Sequence, residues 1–371
     1  REICMAKLVL RNVTKTFGKT VALKDINLTV KDGEFFVLLG ASGAGKSTTI
    51  NVIAGLEIPE QGQVFIDEGD VTHAFPQDRN IAAAFESYAL YPHFTVFQNL
   101  MFPLEAPRRK RTYSKESRIE RVKEVAELLS ISELLQRYPR ELSGGQKQRV
   151  ALGRTLVRRP KAYLLDEPIA HLDAKLRHRM RSELKKIQQT LGITTLYATP
   201  DQLEALSMGD TIAVLNQGVV EQIGTPDDIY YRPVNQYVAS FVGDPPMNIF
   251  NIDYQGKEAV VECDTPYRVP IRPADQQMLA EKMGNCQLRI GIRPKDIRIV
   301  PVGDKAAHTN AEVHLIDTLG QTSIVVTRIK NTEIRVKIDS DLLPKLHSTV
   351  GLVFDNERFY YFDAATQLRI G

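Results

Sequence analysis

Phe35-Phe36-Val37-Leu38-Leu39-Gly40-Ala41-Ser42-Gly43-Ala44-Gly45-Lys46-Ser47-Thr48 is the stretch that decides the fold. Five consecutive apolar residues after the turn Lys31-Asp32-Gly33 read as a strand buried on both faces. The next eight match G-x-x-x-x-G-K-[ST], and Thr48 to Gly55 reads as a short helix closed by glycine. In that order, strand, loop and helix make a phosphate-binding loop. Glycines let successive N–H groups turn inward, and the helix offers its positive end. Lys46 then neutralises the β- and γ-phosphates, and the Ser47 hydroxyl can ligate Mg²⁺. A chance glycine turn would lack the flanking elements, so Gly40, Ala41, Ser42, Gly43, Ala44, Gly45, Lys46, Ser47 and Thr48 are the candidate nucleotide-binding residues.

Outward from this loop, strand and helix patterns alternate. Two strand-like segments flank Phe17-Gly18-Lys19-Thr20, the second alternating through Leu23, Ile26, Leu28 and Val30. From about Tyr91 to Val157 the period turns helical, with Ile119, Val122, Ala126 and Leu129 on one face. Ala162-Tyr163-Leu164-Leu165 is a second buried strand and Ile193 to Ala198 is β-rich. This predicts an α/β core over residues 1–236 with a helical insertion near 91–157. Past Tyr237, short alternating segments (287–292, 297–300, 322–329, 333–338 and 358–362) predict a separate all-β, OB-like domain over 237–371.

The strand Tyr163-Leu164-Leu165 runs into Asp166-Glu167. Two acids at the end of an apolar strand are costly unless a cation or hydrogen bonds await them. Beside a phosphate loop, Asp166 suits a Mg²⁺ ligand and Glu167 a general base for the attacking water.

Composition narrows the class. Of 371 residues, 43% are hydrophobic and 25% charged, as in globular proteins able to bury a core. A net charge of +3 at this length argues against a dedicated nucleic-acid binder. Three distant cysteines (Cys4, Cys263, Cys286) build neither a metal site nor a disulfide framework, which fits a reducing compartment. No apolar run approaches the roughly 20 residues needed to cross a bilayer, and the first residues do not resemble a signal peptide. Any membrane role is therefore expected through partners.

Leu142-Ser143-Gly144-Gly145-Gln146, ahead of Asp166-Glu167, changes the question from which nucleotide to which machine. With this pentapeptide the chain resembles the ABC ATPase superfamily, and over nearly its whole length the ATP-binding subunits of maltose-type carbohydrate importers. The resemblance implies a P-loop ABC ATPase domain and a C-terminal β domain, recognised at Gly291-Ile292-Arg293-Pro294, where regulators and the partner subunit dock. It implies ATP and Mg²⁺ as cofactors, with Phe17 stacked on adenine. Ser143, Gly144, Gly145 and Gln146 would receive the γ-phosphate of a nucleotide held by an opposing ATP-binding subunit. Tyr88 to His93 would meet the coupling helices of two transmembrane permease subunits, fed by an extracytoplasmic solute-binding protein. Leu172 to Arg177 resembles the D-loop and its helix. The implied location is peripheral, on the cytoplasmic face of the membrane.

Two positions depart from this pattern. Glu86 stands where the family has the Q-loop glutamine; it can still ligate Mg²⁺ but adds negative charge near the phosphates. Pro200, after Tyr197-Ala198-Thr199, replaces the switch histidine and has neither a side-chain donor nor a backbone N–H. One reading is that a neighbouring group compensates or that the chain has been engineered; the sharper one predicts a degenerate subunit that binds ATP, hydrolyses it poorly in its own site and pairs with a different, competent ATPase. His171, ahead of Leu172-Asp173, is expected at an interface or surface. Arg108-Arg109-Lys110-Arg111 reads as a solvated loop. Two other readings compete: an ATP-dependent dimerising clamp with little turnover, and a non-transport ABC ATPase. The latter typically carries long coiled coils or two cassettes per chain, and neither appears here.

Overall fold

The computed structural model describes residues 6–85, 90–106, 114–282 and 287–371. The chain divides into two compact units, Arg1–Asp227 and Asp228–Gly371. The sequence pattern placed the change of texture at Tyr237, and the structure moves it earlier. The reason lies in Arg293, which donates to the carbonyls of Tyr230, Ala239 and Val242. Those bonds tie the segment after Asp227 to the β unit.

The first unit is built on a six-stranded sheet. Its spatial order is Val219–Gly224, Thr211–Asn216, Phe35–Leu39, Thr194–Thr199, Ala162–Asp166 and Ile81–Ala84. All neighbours are parallel except the first pair, which forms a hairpin. Parallel strands are covered on both faces, which explains why Phe35–Leu39 and Ala162–Asp166 read as unbroken apolar runs. Phe35–Leu39 lies between Thr194–Thr199 and Thr211–Asn216, so the phosphate loop leaves the C-terminal end of a central strand. Ligands of open α/β sheets collect at that edge.

A second, antiparallel sheet contains Thr20–Val30, Leu8–Phe17, Gln61–Ile66 and Gly69–Asp70. Its alternating residues Leu23, Ile26, Leu28 and Val30 are buried in one cluster with Phe36, Leu38, Ile50 and Leu164. The expected helical segment contains, among its described residues, helices Val96–Met101, Lys115–Leu128 and Gly144–Leu156 and the short 3₁₀ turns Phe102–Leu104, Ser132–Leu134 and Pro139–Glu141. Val122, Ala126 and Leu129 are buried as predicted, and Ile119 is half-buried.

Helix Lys46–Ala54 begins two residues earlier than expected and ends at Gly55, in the left-handed region at φ 79°. Arg79 secures that end. Its guanidinium donates to Val52 O, Ile53 O, Thr72 O and Ala74 O, four carbonyls between 2.8 and 3.1 Å away. A cation at a helix C-terminus also meets the negative end of the helix dipole.

The second unit is all-β apart from short helices, consistent with the OB-like expectation. A six-stranded antiparallel sheet (Tyr267–Pro270, Glu258–Val261, Asn248–Tyr254, Leu288–Ile292, Tyr360–Asp363, Arg369–Ile370) shares one core with a five-stranded sheet. The latter is ordered Ile297–Val300, Thr349–Phe354, Thr309–Leu319, Thr322–Ile329 and Thr332–Asp339. Helix Pro273–Lys282 and strands such as Thr309–Leu319 and Thr349–Phe354 escaped the sequence reading. Charged residues interrupt the alternation of Thr309–Leu319, whose outer half is exposed.

Candidate nucleotide site

The loop after Phe35–Leu39 takes the shape that its glycines permit. Gly43 and Gly45 adopt φ of 78° and 105°, values that side chains oppose. A Cβ on Gly45 would also stand 2.9 Å from Ala22 O. Gly40 needs its bareness for space: a Cβ there would lie 2.6 Å from Leu215 O. The loop is tied at both ends, since Gly40 N donates to Thr199 O at 3.4 Å and Gly218 N donates to Ala44 O at 3.0 Å.

Lys46 is buried at the first position of its helix. Its ammonium donates to Gly40 O at 2.9 Å and Ala41 O at 3.1 Å, and lies 3.5 Å from Glu167 Oε1. Two candidates far apart in sequence therefore meet: the phosphate-binding lysine and the expected base. Ala41, Ser42, Gly43 and Ser47 are exposed around this point, and Thr48 is half-buried.

Asp166 closes its strand, buried, and Glu167 follows in the left-handed region at φ 46°. A non-glycine residue held there is unusual and re-aims its side chain away from the strand direction. Neighbouring groups fix the turn. Glu167 N donates to Ala198 O at 2.9 Å, while Glu167 O accepts from Ala170 N and from the Gln148 side chain, both at 3.3 Å. Gln148 is buried on helix Gly144–Leu156 and ties the helix bearing the signature to the acidic strand end. Sequence reading missed it, because nothing local distinguishes it from an exposed helical glutamine.

Ser143, Gly144, Gly145 and Gln146 open that helix through a reciprocal cap. Ser143 Oγ accepts from Gln146 N, and Gln146 Oε1 accepts from Ser143 N at 2.9 Å. This leaves the helix's positive end at the surface, and the two side chains bond to no residue of the phosphate loop. Gly145 packs against the backbone of the next candidate loop, its Cβ position 3.6 Å from His171 O. Asp173 caps helix Ala174–Leu191 by accepting from Leu176 N.

Pro200 is exposed at the tip of Thr194–Thr199, beside the phosphate loop's anchor. Beneath it lies a group that sequence reading overlooked. Glu204, only 3% exposed, accepts from Tyr197 OH at 2.8 Å and from Thr199 Oγ1 at 2.7 Å. Burial pushes its carboxyl above the ordinary glutamate value, and the two hydroxyl donors pull the other way. Asp201 caps the following short helix, and Arg177 of the D-loop helix stands 3.9 Å from it. The strand tip, the phosphate loop and the D-loop helix are thus linked by short polar contacts.

Phe17 is 47% exposed at the end of Leu8–Phe17, with Lys15 Nζ 5.1 Å from its ring centre. Glu86 and Ser87 to Ala89 lie outside the described residues, as does Arg108 to Arg111. The described part of the expected coupling segment, Tyr91, His93 and Phe94, forms an aromatic cluster with Phe102, with Arg154 over the Tyr91 ring.

A phosphate loop on a central strand, an acidic strand end facing its lysine and a capped serine-glycine helix start define an ATP-hydrolysing cassette. Residues 23–170 match the ABC transporter family model. The chain is 43% identical to the trehalose/maltose import ATP-binding protein of Thermococcus litoralis, over 98% of this chain and 99% of that one. It is 44% identical to an sn-glycerol-3-phosphate import ATP-binding protein of Rhizobium etli, over 90% and 88%. A solved dimeric bacterial ABC transporter cassette superposes with a TM-score of 0.55 at 34% identity, covering 59% of this chain and 98% of that one. The chain belongs to the ATP-binding proteins of ABC transporters, and is an ATPase of that family.

Proposed function

We propose that this chain is the peripheral ATP-binding subunit of an importer for a carbohydrate or similar small solute. Its relatives' names support uptake of trehalose, maltose or glycerol 3-phosphate by those proteins. Among the described residues no helix is long and apolar enough to cross a membrane. In this reading contact with the bilayer runs through permease subunits. A solute-binding protein delivers cargo outside, and the ATPase works from the cytoplasmic face.

In this reading the phosphate loop Gly40–Ser47, with Thr48, holds the phosphates of ATP and Phe17 stacks on adenine. Glu167 orients the attacking water. The donor set suits Mg²⁺: the Ser47 hydroxyl and the Asp166 carboxylate supply two oxygens, and this ion completes its shell with water and substrate phosphates. Bound Mg²⁺ neutralises charge developing on the phosphates. Lys46 and Glu167 pair at 3.5 Å, so nucleotide phosphates compete with the glutamate for the ammonium. Ser143 to Gln146 seal the nucleotide of an opposing subunit, and ATP favours the closed pair because only that state makes both sets of contacts.

The observation that carries the finer reading is Pro200. It sits where Thr199 O meets Gly40 N, and it offers the γ-phosphate no donor. We therefore read the subunit as a weak hydrolase in its own site, partnered by a second, different ATP-binding chain whose nucleotide it completes. Two measurements test this: phosphate release by the isolated full chain, and the mass of the intact transporter. Expected are slow turnover alone and two distinct ATP-binding chains in the complex. A homodimer turning over at an ordinary rate, with Glu167→Gln abolishing it, would overturn the heterodimer.

A further inference from the structure

The second unit contains a cavity of about 530 Å³ between the turn Pro294–Asp296, strand Ile297–Val300 and strand Thr332–Asp339. This falls within the roughly 300–1,000 Å³ typical of small-molecule sites. We infer that it binds a small phosphate monoester, as a ligand site separate from the nucleotide loop.

Charge is the first argument. Arg293, Lys295, Arg298 and Lys337 line the cavity, against two carboxylates, Asp244 and Asp339. Two positive charges remain in excess, which matches the charge of about −1.5 to −2 on a phosphate monoester near neutral pH. A carboxylate ligand would balance only half of it.

Arg293 supplies the second argument. It is 1% exposed, and its terminal nitrogens donate to the backbone carbonyls of Tyr230, Ala239 and Val242. Its buried Nε has no acceptor among the described residues. Carbonyls satisfy geometry but carry no charge, and burial outweighs the one nearby carboxylate on this turn, the half-buried Asp296, so the guanidinium gains from a further counter-ion. An anion in the cavity above would supply one.

Third, the remaining wall is suited to the organic part of an ester. Tyr230, Ile297, Ile338 and Leu342 give it an aromatic ring and apolar surface. Lys295 extends over the Tyr230 ring at 5.0 Å, which holds its ammonium at the mouth. Lys337 Nζ is similarly placed by the Asp244 carbonyl at 3.2 Å.

Calorimetric titration of the full chain with glucose 6-phosphate, inorganic phosphate and glucose tests the site. The expected result is one-to-one binding of the ester, weaker binding of inorganic phosphate and none of glucose. Binding persists in Lys46→Ala, which disables the nucleotide loop, and weakens about tenfold or more in Lys295→Glu and in Arg298→Glu. Both positions are exposed, and Arg298→Gln keeps the test available should a reversed variant fold poorly. Absence of binding, loss of binding in Lys46→Ala, equal affinity for glucose or for inorganic phosphate, or indifference to all three charge variants would overturn the inference.

Discussion

Replacing Pro200 with histidine should raise ATP turnover and slightly lower stability, and this opposed pair of signs makes the variant informative. The residue is exposed at the end of Thr194–Thr199, so a larger side chain meets no core. Its neighbours are held independently: Thr199 O accepts from Gly40 N, Thr199 Oγ1 donates to Glu204 and accepts from Asp201 N at 3.0 Å. A histidine there inherits a fixed platform beside the phosphate loop. One preorganised donor to a developing oxyanion is worth about 10²–10³ in rate, or roughly 2.7–4 kcal/mol. The loss of proline's restriction of the unfolded chain costs about 0.4–1 kcal/mol. Phosphate release under saturating MgATP reads the first effect, and urea unfolding with an unchanged slope reads the second. If the rate rises less than about threefold while the variant folds and binds ATP normally, the missing donor is not what limits hydrolysis.

Other perturbations follow from the same geometry. Arg79→Met keeps the bulk but removes the side-chain donor from the carbonyls of Ile53, Thr72 and Ala74, at about 1–3 kcal/mol each, while Val52 O keeps Gly55 N, so unfolding free energy should fall by at least about 3 kcal/mol in urea titration. Ser143→Ala removes only a helix cap, about 1 kcal/mol, yet should abolish ATP-driven pairing of cassettes in size-exclusion measurements. Because Glu204 has a raised carboxyl pKa, its favourable term is present below 4.5 and is lost as pH rises through the folded value. Glu204→Gln should accordingly flatten the stability profile across that interval. His308 runs the other way: burial lowers its pKa, and its Nδ1 accepts from Phe354 N, so stability is lost as pH falls below 6.5. Removing His308 should erase that acid-side slope.

What the chain order alone determines is everything that rests on near neighbours. The loop Gly40 to Ser47, its flanking strand and helix, the apolar run into Asp166-Glu167 and the capped turn at Ser143 are legible because glycine conformation, strand burial and helix capping depend on residues a few places apart. Even the departure at Pro200 is visible, since proline's missing N–H is a property of one residue.

Tertiary structure alone decided which of these groups meet. Glu167 reaches Lys46 only because strands Ala162–Asp166 and Phe35–Leu39 flank Thr194–Thr199 in parallel register. Gln148, Arg79, Glu204 and Arg293 look like ordinary polar residues in sequence. Their roles come from burial, which forces each to find partners supplied by distant backbone or by hydroxyls on another strand. The domain boundary moved for the same reason, because Arg293 gathers carbonyls from Tyr230 to Val242 that no local pattern connects to it.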